Sequence, residues 1–217
     1  MATVIGSVPA RGAAWTAARM ATRTMPGRRF WLGLGLLASV WPAVAAGAAQ
    51  AAAATLLPGS EIVFVSKQFG VPVEGRFRKF EAQIAFNPRL PAAGRVALGI
   101  DTASAAIGDP DTDRELTKPE WFGVAKFPQA RFESSAIRAL GGGRFEVAGQ
   151  LLIKGIAREV TVPVTLTQSG TTSVATGSFT IRRLAFGIGG GEWSDPALVA
   201  DEVQVKFKLS LSGLGPL

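Results

Sequence analysis

The sequence predicts an all-β protein, a closed antiparallel β-barrel of about eight strands with one or two short helices. Three observations carry that expectation. Between residues 141 and 168 apolar residues occupy every second position: Phe145, Val147, Leu151 and Ile153, then Val160, Val162, Val164 and Leu166. Period two is the mark of strands with one apolar face, because successive side chains point to opposite sides. Second, similar strand-like runs recur along the chain, separated by glycine- and proline-rich turns. Third, several runs are long and carry no evident device to protect an open edge, which suits closure.

Taken in order, residues 56–67 hold a first strand. Ile62, Phe64 and Ser66 face one side and Val63 and Val65 the other, and polarity does not say which is inward. Residues 69–73, broken by Gly70 and Pro72, form a bend or a kinked continuation. Gly75 opens a strand with Phe80, Ala82, Ile84 and Phe86 inward. After a turn at residues 88–94, Val96, Leu98, Ile100 and Thr102 continue the inward pattern. Thr112 with Glu115, and Thr117 with Glu120, spell capping boxes, so short helices are expected there, ending near Trp121 and Phe122. Residues 130–140 form a strand with Phe132 and Ser134 on one side. Ile137 falls on the wrong parity, which places a bulge near Ser135. The central hairpin turns at Lys154 and Gly155. Within it Pro163 is awkward, since a proline in a strand belongs at an edge or bulge. Residues 174–183 form a strand with a parity change between Val174 and the pair Phe179 and Ile181. Residues 184–194 are glycine-rich and are expected to be a mobile loop at a rim. Val203, Val205, Phe207, Leu209 and Leu211 mark the last strand.

Residues 1–54 differ from the rest. They carry five arginines and no acidic residue. Arg28 and Arg29 precede an apolar run from Phe30 to Trp41, then Pro42 and an alanine-rich stretch with small-x-small cleavage sites. This is the layout of a secretory signal peptide, with Met25 as a plausible start. Residues 55–217 form the single folded domain, and the expected location is the periplasm. The chain has 23 basic and 16 acidic residues, but the excess sits in the leader. A nearly neutral domain argues against nucleic acid as a partner.

Cysteine, histidine and tyrosine are absent. That removes disulfides, the thiol nucleophile and the commonest general base and zinc ligand. Asp109, Asp111, Asp113 and Glu120 have some of the spacing of a calcium loop, but Arg114 stands where such a loop needs glycine, so no metal site is expected. No base–nucleophile pair stands out, so no catalytic residue is assigned.

The motifs, taken together, resemble the YceI-like family of bacterial periplasmic, polyisoprenoid-binding proteins. They are VEGRF at 73–77 with Phe80; IAFNP at 84–88; IDTAS at 100–104; DREL at 113–116; Trp121 and Phe122; FPQARFES at 127–134; GQLLIKG at 149–155; RLAFG at 183–187; and VQVKF at 203–207. The chain departs from the family pattern at Thr112, where many members have arginine, and at Ala185, where an acidic residue is frequent. The resemblance implies a lipocalin-like barrel holding an isoprenoid chain, such as a polyisoprenoid or a quinone tail, with no other cofactor. It also implies a b-type cytochrome membrane protein as a partner, and leaves a homodimer through an outer face open. On that basis Phe64, Phe80, Ile84, Phe86, Leu98, Phe132, Val147, Leu151, Val162, Val164, Phe179, Val205 and Phe207 are expected to line the tunnel. Gly149, with Ala82 and Ser134, would leave room in it, and Trp121, Phe122, Phe186 and Trp193 would guard its mouth. Two other readings stay open: an interaction or stress-related barrel with a filled core, and a hydrolase-type enzyme. Interior volume separates them.

Overall fold

The computed structural model describes residues 53–217, so the expected leader lies outside the described residues apart from its last two. Eleven strand segments form one antiparallel sheet that closes as an eight-stranded barrel. The numbers reconcile because three of the barrel strands are bent. β1 (Ala53–Leu56) runs into β2 (Glu61–Gln68), β3 (Val71–Phe77) into β4 (Phe80–Ala85), and β5 (Arg95–Asp101) into β6 (Ala105–Ala106). Each pair flanks the next: β2 pairs with β3 and β1 with β4, then β4 with β5 and β3 with β6. The wall continues through β7 (Gln129–Gly141), β8 (Arg144–Ile153), β9 (Ile156–Ser169), β10 (Thr172–Arg182) and β11 (Glu202–Ser212). β11 closes the ring on β2 and β1, with Phe207 opposite Ile62 and Leu211 opposite Leu56. Neighbours in sequence are thus neighbours in space, an up-and-down barrel.

Inward parity follows the apolar pattern. In β8, Phe145, Val147, Leu151 and Ile153 are buried, as are Val162 and Leu166 in β9 and Val203, Leu209 and Leu211 in β11. The bulge expected near Ser135 is present, since the β7–β8 register shifts between Ser134 and Ala136 and brings Ile137 inside. The hairpin turn at Lys154 and Gly155 has both residues at positive φ, 49° and 76°, as a two-residue connection with right-handed twist requires.

Several expectations need correction. β2 and β3 form a hairpin turning at Phe69 and Gly70, so residues 69–73 are not a bend in one strand. Gly75 lies inside β3, where a Cβ would come within 2.2 Å of the Phe64 ring. The helix α1 (Pro110–Glu115) starts one turn earlier than the Thr112 capping box suggests. Its cap is Asp109, whose carboxylate accepts hydrogen bonds from the Thr112 amide and hydroxyl, both at 2.8 Å. Those bonds hold the Asp109 carboxyl below the usual aspartate value. The second spelling, from Thr117 to Glu120, gives only turns. β10 has no parity change: Ser173, Ala175 and Ile181 are buried on one parity, and Val174 points outward.

Pro163 marks a seam. β9 pairs with β10 only from Val164 opposite Gly177 to Ser169 opposite Thr172. Beyond that point β9 continues on β8 alone and β10 on β11 alone. The ladder stops one residue short of the proline, which has no N–H to extend it. At Gly177 a Cβ would sit 2.4 Å from the Pro163 carbonyl oxygen, so only glycine permits this approach.

Gly149 is buried in β8, but its missing side chain does not leave room for a ligand. A Cβ there would lie 2.4 Å from the Glu133 carbonyl oxygen and 2.7 Å from the Phe132 ring. Gly149→Ala should therefore lower stability in urea unfolding by about 1–3 kcal/mol, as overpacking does.

Candidate functional site

The barrel interior holds two adjoining apolar chambers. The first, about 130 Å³, lies toward the end that carries the chain's C-terminus and is lined entirely by apolar side chains. Eleven of the expected tunnel residues line it: Ile84, Phe86, Leu98, Phe132, Val147, Leu151, Val162, Val164, Phe179, Val205 and Phe207. The second, about 120 Å³, lies toward the end where α1 and the 183–201 loop sit, and takes Phe64, Trp121 and Phe122. Ile62, Ile100, Leu151, Phe179 and Val205 line both and form the partition between them. Beyond the second chamber is a wider vestibule of about 430 Å³ bounded by the β2–β3 hairpin, α1 and Trp193. Phe64, Ser66, Leu116 and Trp121 line both the second chamber and the vestibule. Vestibule, second chamber and first chamber therefore lie in file.

The aromatics expected at the mouth divide into two groups. Trp121 and Phe122 are buried and close the barrel end, with Trp121 5.7 Å from Trp193 and Phe122 edge-on to Phe77 at 5.8 Å. Phe186 is buried but lines none of the three spaces. It sits in the turn Arg183–Phe186 beside the free edge of β9, with the Arg158 guanidinium over its ring at 5.8 Å and Arg158 Nε donating to the Ala185 carbonyl at 2.9 Å. Phe80 packs against the core without reaching a chamber. Ser134 serves the wall, accepting the Val96 amide at 2.9 Å.

The sequence missed several lining residues. Phe145, Leu166, Leu209 and Leu211 share the inward parity of their strands and were recoverable by extending it. Ala175 follows from the parity of Phe179. Ser66 follows from the parity of Phe64, whereas Phe77 and Arg183 had no such signal.

Arg183 organises this end. Its side chain is 2% exposed, and all five N–H groups meet backbone carbonyls. Nε donates to Ala200 (3.1 Å), Nη1 to Ile188 (2.9 Å) and Gly189 (3.0 Å), and Nη2 to Trp193 (2.7 Å) and Val199 (2.6 Å). Burial pulls its guanidinium below the usual value, although arginine remains charged in proteins. Gly189, at φ 74°, makes the close approach possible, since a Cβ would fall 2.1 Å from Nη1. The glycine-rich loop is thus tied down, contrary to its expected mobility. Lys154 adds a second clamp, donating to the carbonyls of Pro119 (2.8 Å) and Gly187 (2.6 Å), and partial burial lowers its ammonium below the ordinary lysine value.

The acidic residues near α1 have structural employment. Asp113 accepts the Ile107 amide at 2.7 Å and lies 3.6 Å from Arg78, Glu115 pairs with Lys118 at 2.5 Å, and Asp111 pairs with Arg114. Among the described residues no cluster of three or more potential metal ligands occurs.

An up-and-down barrel with an apolar interior and one plugged end defines a lipocalin-like class. The chain belongs to the YceI-like family, whose domain model matches residues 57–211. Curated relatives include a UPF0312 protein of Yersinia pestis, 35% identical over 96 residues, covering 44% of this chain and 50% of that one. Another, from Azotobacter vinelandii, is 30% identical over 88 residues, covering 41% and 46%. The chain therefore spans about half the length of these relatives. Among solved structures, Burkholderia cenocepacia BcnA is 47% identical with a TM-score of 0.68, covering 70% of this chain and 95% of its own. A polyisoprenoid binding domain from Saccharophagus degradans, 19% identical, has a TM-score of 0.60 over 76% of this chain and 99% of its own, and so shares the fold.

Replacing Arg183 by methionine should strand five carbonyls. The expected loss exceeds about 3 kcal/mol, given about 1–3 kcal/mol for each buried group left unpaired. Hydrogen exchange should show protection lost first across residues 184–201, with the β8–β9 hairpin losing it later.

Proposed function

We propose that the protein binds a long apolar isoprenoid lipid, a polyisoprenoid or a quinone-like molecule, non-covalently in the barrel interior. It carries or sequesters that lipid in the periplasm. The observation that carries this reading is the first chamber, lined by apolar side chains alone and in file with a second chamber and a vestibule. A filled core would leave no such series. Family membership and the polyisoprenoid-binding description of the Saccharophagus degradans domain support the same ligand class. The export-like leader supports the location. A membrane-bound b-type cytochrome is the partner that a quinone-like ligand would serve.

The energetics are adequate. Each methylene withdrawn from water contributes about 0.8 kcal/mol, so one five-carbon isoprene unit gains roughly 3–4 kcal/mol gross. Ordering costs reduce this, yet a few units reach micromolar affinity or better. Ligand pockets usually run about 300–1,000 Å³, so neither chamber alone takes a long chain. The lipid enters by parting the partition residues, chiefly Phe179 and Leu151, and threads both chambers. Nothing in this mechanism requires a bond to be made or broken.

The test is native mass spectrometry of the protein purified from the periplasm, followed by solvent extraction. An isoprenoid or quinone mass should co-purify. Ala175→Phe fills the first chamber from its wall. Displacing even two methylenes costs about 1.6 kcal/mol, a loss of roughly fifteenfold in affinity. A folded Ala175→Phe protein with unchanged uptake, or an empty wild type that refuses added isoprenoids, would overturn the reading.

A further inference from the structure

Among the described residues two buried side-chain polar atoms have no hydrogen-bond partner, Ser66 Oγ and Trp121 Nε1. Buried polar groups are nearly always paired, and leaving one unpaired is costly, so each such exception calls for a cause. Both residues line the second chamber, and both line the vestibule outside it. Both therefore lie where the vestibule meets the second chamber. Ser66 faces inward from β2, one inward position beyond Phe64. Trp121 is held in place by the turns after α1 and by Trp193.

We propose that Ser66 and Trp121 form a head-group site, a pair of hydrogen-bond donors that takes a neutral oxygen acceptor at the end of an apolar chain. This rests on the lipid-binding reading above and specifies the chemistry of the lipid's polar end. The indole N–H can only donate, and the serine hydroxyl can rotate to donate beside it. The complement is a carbonyl, ether or hydroxyl oxygen.

Charge decides against an anionic head. Among the lining residues of the second chamber the single basic one is Arg183, and its N–H groups are already spent on carbonyls. The vestibule lining contributes Asp111 and Glu115 and no basic side chain. A phosphate drawn to this depth would lose its hydration without gaining a cation to hydrogen-bond, and a buried charge without a partner is heavily penalised. A neutral acceptor escapes that penalty. The arginine's positive field also favours the oxygen end of a dipole pointing toward it.

The test compares three probes on the folded protein, all with the same twenty-carbon prenyl chain. They are geranylgeranylacetone, which ends in a methyl ketone, the matching hydrocarbon without oxygen, and geranylgeranyl monophosphate. The ketone should bind about tenfold tighter than the hydrocarbon, as two modest net hydrogen bonds would give, and tighter than the monophosphate. Ser66→Ala and Trp121→Phe should each cost the ketone about threefold more affinity than they cost the hydrocarbon. In the wild type, the indole N–H proton resonance assigned to Trp121 should move downfield with ketone and stay put with hydrocarbon. Equal affinity for ketone and hydrocarbon, tightest binding of the monophosphate, or variants that weaken both neutral probes alike would each overturn the head-group site while lipid binding stands. Failure of all three probes to bind would overturn the lipid reading itself, and the head-group site with it.

Discussion

The entrance end of the barrel depends on one buried cation. Arg183 leaves the end of β10 and gathers five carbonyls spread over residues 188–200. Those carbonyls belong to a loop with little regular structure, so without the guanidinium its backbone would have few partners. Once gathered, the loop fixes its surroundings. The amides of Gly189 and Gly190 donate to the Glu120 carbonyl, holding the segment that carries Trp121. The Phe69 amide donates to Leu198 and the Ala200 amide to Lys67, holding the tip of the β2–β3 hairpin. Asp201 supplies an opposing charge and accepts the Leu184 amide. A planar group with five fixed donors suits this task in a way that lysine's flexible ammonium does not.

The two ends of the interior differ in character for a physical reason. At the C-terminal end, strand parity alone supplies a wall of aliphatic and aromatic side chains, and such a wall discriminates only by length and bulk. At the entrance end strand residues still supply most of the second chamber's wall, but Leu116, Trp121, Phe122 and Ile188 join them from outside the strands, and α1 lines the vestibule, where side chains are not bound to alternate. Polar atoms reach it from both sources, Ser66 from β2 and Trp121 from the turns after α1, and both remain without partners at a cost to stability. Regions that accept such a cost are commonly those where a ligand is received.

Much of the wall was legible from sequence, since period two is a local property. The parity of β8, β9 and β11 follows from Val147, Val162 and Leu209 and their neighbours, and the bulge was legible because Ile137 broke the count. The α1 cap was misassigned because Asp109 and Thr112 both offer side-chain oxygens, and Pro110, suited to the first helical position, settles the choice for Asp109. Gly149 misled because a small residue in a cavity-lined strand looks like space, while the space belongs to Phe132 and the bulge. Arg183 was beyond reach: a basic residue at a strand end is ordinarily solvated, and its acceptors are backbone atoms placed by a loop path that no local pattern encodes. The head-group pair was hidden for the same reason, since Ser66 and Trp121 are distant in sequence and come to line the same two spaces only in the closed barrel.

The seam at Pro163 gives the wall uneven compliance. Ile156–Pro163 on β9 and Ser178–Arg182 on β10 share no ladder bonds, and Arg158 of β9 bonds the Arg183–Phe186 turn instead. Elastic deformation concentrates where a shell is weakest, so swelling of the interior is taken up along this line, between strands that can spread without surrendering a backbone hydrogen bond to each other. The barrel behaves less like a rigid tube than like a split ring, whose bore adjusts to its contents at small energetic cost.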